Sequence, residues 1–281
     1  MAGIDRAIEL RSGEHMPVLG LGTWRMGERR DRRQQEIGAV SLGIDLGIKL
    51  VDTAEMYGEG EAEKIVGEAI AGRREQVFVV SKVYPHNASK RGVIAACKRS
   101  LQRLRTDRLD LYLLHWRGDI PLAETVAGFR ALQAEGAIRA WGVSNFDRGD
   151  IEELLALPGG DGCAANQVLY NLNERGVEWD LLPLCRRHRI AMMAYSPLDQ
   201  GRLLRQRALR AIATTLGATP AQVALAWLLQ QRDIVVIPKA TDATHVHDNV
   251  SSANLKLDPS SRAVLDREFP PPRKPTSLRM L

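Results

Sequence analysis

Short apolar, β-branched runs alternate with amphipathic helical stretches along this chain, and few architectures accommodate such an alternation. Strand-like runs lie at residues 18–21, 49–51, 77–81, 109–114, 138–143, 164–168, 190–195 and 234–237. Between them, apolar residues recur at helical spacing over residues 34–46, 61–71, 93–104, 122–134, 151–155, 180–188, 220–230 and 243–250. Asp31, and Thr219 followed by Pro220, read as helix starts, because a first turn needs a side-chain acceptor and a preset φ. A strand followed by a helix makes a βα unit on a parallel sheet, and eight such units predict an α/β chain closed as a (β/α)8 TIM barrel. Two helices are additional, at residues 205–216 and, as an extra C-terminal helix, 259–268. Residues 7–17, centred on Ser12-Gly13-Glu14, predict an N-terminal β-hairpin plugging one end of the barrel, and the proline-rich residues 270–281 an extended flap. No low-complexity linker divides residues 1–281, which read as a single barrel domain.

Composition excludes several roles for such a barrel. With 281 residues and 44% hydrophobic content the chain can bury a large core. The net charge of +5 is spread through helices such as residues 98–108, not gathered in a block, so no nucleic-acid partner is expected. No stretch is apolar enough to span a bilayer, and Met1-Ala2-Gly3-Ile4-Asp5-Arg6 lacks a signal peptide's apolar segment; no membrane association and a cytoplasmic location are the expectation. Cys97, Cys163 and Cys185 are scattered without a C-x-x-C pair and read as reduced thiols. His245 and His247, two apart on a helix, diverge and do not suggest a metal site. Nothing resembles a heptad, and a monomer is expected.

Asp52, Tyr57, Lys82 and His115 each stand at or just beyond the carboxyl end of a strand-like run, which in a parallel barrel is the active face. Singly, each has an ordinary structural use: Asp52 as a turn cap, Tyr57 as a buried aromatic, Lys82 as a surface lysine, His115 as a satisfied histidine. Their recurrence at three successive strand ends argues for a shared site, and together they make a proton-transfer set.

The chain resembles an aldo-keto reductase, a bacterial-type member with short loops, over nearly its whole length. The resemblance rests on Gly20-Leu21-Gly22-Thr23-Trp24, Asp52-Thr53-Ala54-Glu55-Met56-Tyr57-Gly58, Ser81-Lys82, and residues 109–116 ending in His115-Trp116. It continues through Gly142-Val143-Ser144-Asn145-Phe146, Asn166-Gln167, Tyr195-Ser196-Pro197-Leu198 and Ile237-Pro238-Lys239-Ala240, all in order. It implies reduction of a small aldehyde or ketone by NADPH, with NADH possible. Negative charge grows on the carbonyl oxygen as hydride arrives and must be met by a proton. Tyr57 is then the general acid, and a neighbouring Lys82 cation is expected to favour its ionised form. Asp52 is expected to hold the buried ammonium, and His115 to donate to the substrate oxygen.

The cofactor has no Rossmann loop to bind, since Arg25 stands where the last glycine of G-x-G-x-x-G belongs and Gly58-Glu59-Gly60 runs on to Glu63. A barrel instead offers the loops after strands seven and eight. By resemblance, Ser144, Asn145 and Gln167 surround the carboxamide, Tyr195 stacks on the nicotinamide, and Ser196, Leu198, Gln200 and Gly201 follow the pyrophosphate. Lys239, Ala240 and His245 surround the 2′-phosphate and Asp248 and Asn249 lie near adenine, with Gly22, Thr23, Trp24, Asp52 and Ile237 completing the site. Ala240 and His245 stand where strongly NADPH-selective relatives often carry serine and arginine, which is the reason NADH is admitted. Trp24, Tyr57, Tyr84, His115 and Trp116 are the expected substrate residues, and the short loops suggest an open site for small aldehydes or dicarbonyls such as methylglyoxal. Two alternatives use the same residues: a non-catalytic NADPH-binding, redox-sensing subunit, and an aldolase forming a Schiff base on Lys82.

Overall fold

The computed structural model describes residues 3–281. A two-stranded antiparallel hairpin, β1 (Ala7–Glu9) and β2 (His15–Pro17), precedes eight parallel strands. These are β3 (Gly20–Gly22), β4 (Leu50–Asp52), β5 (Phe78–Val83), β6 (Leu109–Leu114), β7 (Ile138–Ser144), β8 (Cys163–Leu169), β9 (Ala191–Tyr195) and β10 (Ile234–Val236). Each pairs with the next in sequence, and the sheet closes on itself: Leu19 bridges Val236, Gly22 bridges Lys239, and the Gly22 N–H donates to the Pro238 carbonyl at 3.0 Å. At that seam a Cβ on Gly22 would stand 2.9 Å from the Ile237 carbonyl oxygen, so glycine is what lets the first and last strands meet.

Helices α1 (Arg33–Asp45), α2 (Glu61–Ala69), α3 (Lys90–Leu104), α4 (Leu122–Ala134), α5 (Arg148–Ala156) and α6 (Leu181–Arg187) follow strands β3 to β8 in turn. The connection after β9 carries α7 (Arg207–Thr215) as well as α8 (Pro220–Leu229), and β10 leads to α9 (Ala243–Ser252) and the extra α10 (Pro259–Glu268). Thr219 starts α8 by a capping box with Gln222, as the sequence suggests. Asp31 does not start α1. It lies in a 3-10 turn, paired with Arg29 at 2.7 Å, because that cation is two residues away and both side chains are in water. Among the described residues no single helix is long and apolar enough to cross a membrane, and all three cysteines are free and buried.

Strand periodicity sorts the interior into layers. Leu50, Val80, Leu111, Leu113, Ala140, Ala165, Ala191, Met193, Val235 and Ile237 point inward and fill the bore, whereas the residues between them pack outward beneath the helices. Leu10 and the fully buried Met16 belong to the inner cluster, so the hairpin closes the amino-terminal end. The inward-pointing side chains near the carboxyl ends are polar: Asp52, Lys82, Ser144, Gln167 and Tyr195, each two residues beyond an apolar bore residue on its strand or, for Ser144, beyond Gly142. Gly142 itself sits where a Cβ would come within 2.3 Å of the Ala165 carbonyl oxygen, at an irregularity in the β7–β8 register.

Candidate active site

The polar layer forms the floor of a cleft of about 430 Å³ at the carboxyl ends of the strands. Lys82 lies within β5, which runs on to Val83, longer than the sequence run implies. It is fully buried, and its ammonium donates to Asp52 Oδ2 at 2.8 Å, to the Thr53 carbonyl at 2.8 Å and to the Tyr57 hydroxyl at 3.1 Å. All three ammonium protons are therefore engaged. The other carboxylate oxygen of Asp52 accepts the Gln167 amide at 2.7 Å. Tyr57 is delivered by the turn after β4, whose sharp reversal uses positive φ at Gly58, Glu59 and Gly60.

Electrostatics within this cluster differ in one respect from the sequence expectation. Burial raises the Tyr57 phenol above its ordinary 10.0, and Asp52 adds to that; the Lys82 charge and hydrogen bond oppose the rise without cancelling it. The expected acidified phenol is thus corrected: the ammonium is in place, yet burial, with Asp52 adding to it, outweighs its pull and keeps the phenol protonated. For Lys82, burial acts to lower the pKa, but Asp52 and Tyr57 outweigh it and the group is raised above 10.5. His115, just past β6, is pushed well below 6.5 by burial and then by the Lys82 charge, so its ring is neutral. That ring meets Tyr57 edge-on at 5.7 Å and Trp116 at 4.8 Å, and its Nδ1 is buried without a hydrogen-bond partner.

A second set of hydrogen bonds orients the neighbouring amides. The Tyr195 hydroxyl donates to Asn145 Oδ1 at 2.9 Å, and the Asn145 amide donates to the His115 carbonyl at 3.1 Å and to Ser144 Oγ at 3.2 Å. Ser144 in turn donates to the Gln167 carbonyl at 2.8 Å. Asn145 adopts φ 58°, a left-handed conformation that this network holds. Beyond Tyr195 the loop is wound through positive φ at Ser196, Asp199, Gln200 and Gly201, which turns its backbone along the cleft. Arg25, with its guanidinium 4.4 Å over the Trp24 ring, and Lys239 place positive charge on the cleft wall.

The cleft gathers Gly22, Trp24, Asp52, Tyr57, His115, Trp116, Ser144, Asn145, Gln167, Tyr195, Ser196, Leu198, Gln200, Gly201, Ile237 and Lys239 from among the residues singled out in the sequence. Several of the residues singled out in the sequence stand outside the cleft lining. Thr23 is fully buried and its hydroxyl donates to the Asp52 carbonyl at 3.0 Å, so it secures the β3–β4 seam. Ala240 packs its methyl with Ala39 and Val246, turned away because alternation along the chain puts Lys239 on the cleft side. Tyr84 stacks on His86 and meets Trp116 edge-on, and it does not line the cleft. His245 stands exposed in the first turn of α9, Asp248 accepts the Gln222 amide at 2.9 Å, Asn249 is buried, and none of them lines the cleft. Arg25, Met56, Pro197, Pro238, Met280 and Leu281 line it without having been singled out. Arg25 carries a signal in the sequence, a cation beside Trp24 at a strand end. Met280 and Leu281 reach the cleft through tail contacts such as Arg279 with Glu174, which local sequence does not reveal.

Residues 18–267 match the model of the Aldo/keto reductase family. The chain is 48% identical to methylglyoxal reductase YeaE of Escherichia coli (strain K12), over 99% of each sequence. It is 32% identical to methylglyoxal reductase DkgB of Escherichia coli O157:H7, over 89% of this chain and 92% of that one. A crystal structure of an aldo/keto reductase from Klebsiella pneumoniae, in complex with NADP and acetate, superposes with a TM-score of 0.96 at 47% identity, covering 98% of this chain and 99% of that one. The extent of these matches, together with an eight-stranded barrel carrying an amino-terminal hairpin, places the chain in the aldo/keto reductase family.

Proposed function

We propose that this protein reduces small aldehydes, ketones and dicarbonyls, methylglyoxal among them, to alcohols with NADPH, and that it accepts NADH less well. The observation that carries the reading is the direction of one hydrogen bond. Lys82 donates to the Tyr57 oxygen, so the phenol proton is not used by the ammonium, and among the described residues it has no acceptor. A protonated phenol on the wall of a cleft, with a cation behind it, is a proton donor whose conjugate base is already supported. The names of both relatives, methylglyoxal reductase, support the substrate class.

The residues present fit a nicotinamide dinucleotide. Tyr195 has its hydroxyl committed to Asn145, leaving its ring face for stacking, and Gln167 has its amide hydrogens directed at Asp52, leaving its carbonyl oxygen as an acceptor for a carboxamide. Arg25 and Lys239 supply positive charge for phosphates, and the loop of residues 196–201 supplies backbone donors. When bound, NADPH supplies hydride to the carbonyl carbon. Tyr57 then gives its proton to the carbonyl oxygen, while the neutral His115, with its ring proton assigned to Nε2, donates to the same oxygen and orients it. Lys82 stabilises the tyrosinate left behind, and Asp52 keeps the fully buried Lys82 charged. Trp24, Trp116 and Met56 wall the substrate end, which suits small uncharged carbonyls.

The same geometry disfavours a Schiff base on Lys82, whose nitrogen is charged, fully buried and bonded through every proton. The test is nicotinamide absorbance during turnover of methylglyoxal, simple aryl aldehydes and steroid ketones with each cofactor. The reading expects higher kcat/KM for the small substrates and for NADPH. Cofactor binding without turnover on any carbonyl would favour a redox-sensing subunit, and borohydride trapping of substrate on Lys82 would favour the aldolase.

A further inference from the structure

The bond between Gln167 and Asp52 crosses the barrel. β8 and β4 stand four strands apart in a closed sheet of eight, yet the Gln167 amide reaches Asp52 Oδ1 at 2.7 Å, with both residues 2% exposed. Asp52 is thereby gripped on both oxygens, by Lys82 on one and by Gln167 on the other. A carboxylate only accepts, so this contact also fixes which end of the Gln167 amide faces the cleft. On the reading that Tyr57 is the proton donor, we propose that Gln167 is a positioning residue for proton transfer, holding the Asp52 carboxylate on Lys82 and so controlling how well the Lys82 cation supports Tyr57.

Asp52 shares its charge between two donors. A neutral donor on Oδ1 delocalises the negative charge of Asp52 and restrains its rotamer. Without that donor, Asp52 has one unpartnered buried oxygen and leans more of its charge on Lys82, so the Lys82 field at Tyr57 is more fully cancelled. The charged or titratable groups that face this pair are few: Tyr57 from the turn after β4, Lys82 from β5, His115 after β6, and Tyr195 from β9, whose hydroxyl is taken by Asn145. The strand neighbours of Gln167 in register, Ser144 and Met193, carry no charge. An effect of pH on a Gln167 variant is therefore traceable to the introduced group.

Two substitutions test this. In Q167E the introduced carboxyl, when protonated, can donate to Asp52 Oδ1 as the amide does; when ionised it faces a like charge and the tie becomes a repulsion. Turnover of Q167E should approach wild type at low pH and fall by about 100-fold as pH rises through the pKa of that carboxyl, which the Asp52 charge lifts above the ordinary value of about 4.3. Q167L fills similar space without a donor, and its kcat should be lower by about 30-fold at every pH at which the wild type is active. NADPH affinity, followed by quenching of protein fluorescence, should fall less than kcat in Q167L. A pH profile of Q167E that parallels wild type, or a Q167L whose entire loss lies in NADPH affinity, would overturn the proposal, and either variant decides if the other does not fold. Wild-type turnover separates the two levels: if it is absent the functional reading fails, and if it is present only the role of Gln167 is at stake.

Discussion

At the scale of single residues, proton donation rests on which atom gives and which receives. Because Lys82 spends its third proton on Tyr57, the lysine supports the phenol oxygen and leaves the phenol hydrogen free, which in the proposed reaction goes to the carbonyl oxygen. The raised pKa of Tyr57 and the depressed one of His115 then set the pH behaviour. Tyr57 is in its donating form at every pH below its raised value, above 10.0, and His115 is neutral at every pH above its lowered value, below 6.5. The rate of carbonyl reduction, as kcat/KM, is expected to stay flat between those two limits; a break near 6.5 would show that His115 titrates as an ordinary histidine. Replacing Lys82 by Met removes one partner of an ion pair whose side chains are 0% and 3% exposed and leaves Asp52 charged in the interior. A loss of about 3–5 kcal/mol is expected in urea denaturation, together with loss of turnover. Asp52, Lys82, Tyr57 and His115 were legible in the sequence because each is a polar residue in a place where an apolar one is expected. The balance of burial against charge at Tyr57 was not legible, since it depends on distances that no spacing encodes.

At the scale of elements, strand alternation decides which residue reaches the cleft and helix termini decide what the adjoining loop can bind. Lys239 faces the cleft while Ala240, one residue on, is buried between helices α1 and α9, so the departure from serine at position 240 bears less on coenzyme choice than the sequence suggested. Asp242 bears more. It caps α9, accepting the Thr244 N–H at 2.8 Å, and so places a negative charge at the helix start three residues after Lys239, the cation proposed to meet a phosphate. Substituting Asp242 by Ser keeps a capping acceptor and removes a like charge. The KM for NADPH should fall by roughly fivefold with a smaller change for NADH, and equal changes for both would separate Asp242 from coenzyme choice. Asp242 escaped the sequence reading because an acidic residue before a helix is ordinary as a cap. Thr219 was legible as a helix start because Pro220 follows it directly, whereas its capping box with Gln222 came only with the structure. Thr219→Ala should cost about 1 kcal/mol in thermal unfolding and leave turnover unchanged.

At the scale of the whole molecule, one barrel divides its labour between two ends. The hairpin closes the amino-terminal end with apolar side chains, Met16 among them, and the carboxyl ends carry the cleft proposed as the active site. Met16→Ala should therefore destabilise the fold by about 2–4 kcal/mol while leaving kcat/KM close to wild type, whereas a large kinetic effect would mean that the two ends are coupled. The barrel was legible because eight βα units repeat a period that the sequence displays directly. The contribution of Met280 and Leu281 to the cleft was not, because the tail reaches it through contacts with residues about a hundred positions away, such as Arg279 with Glu174. The central claim is that a protonated Tyr57, backed by Lys82, completes the reduction. Its most direct test is steady-state reduction of methylglyoxal by Tyr57→Phe, with NADPH binding measured in parallel. The account predicts unchanged NADPH affinity and turnover lower by about 10²–10⁴-fold, and turnover equal to wild type would contradict it.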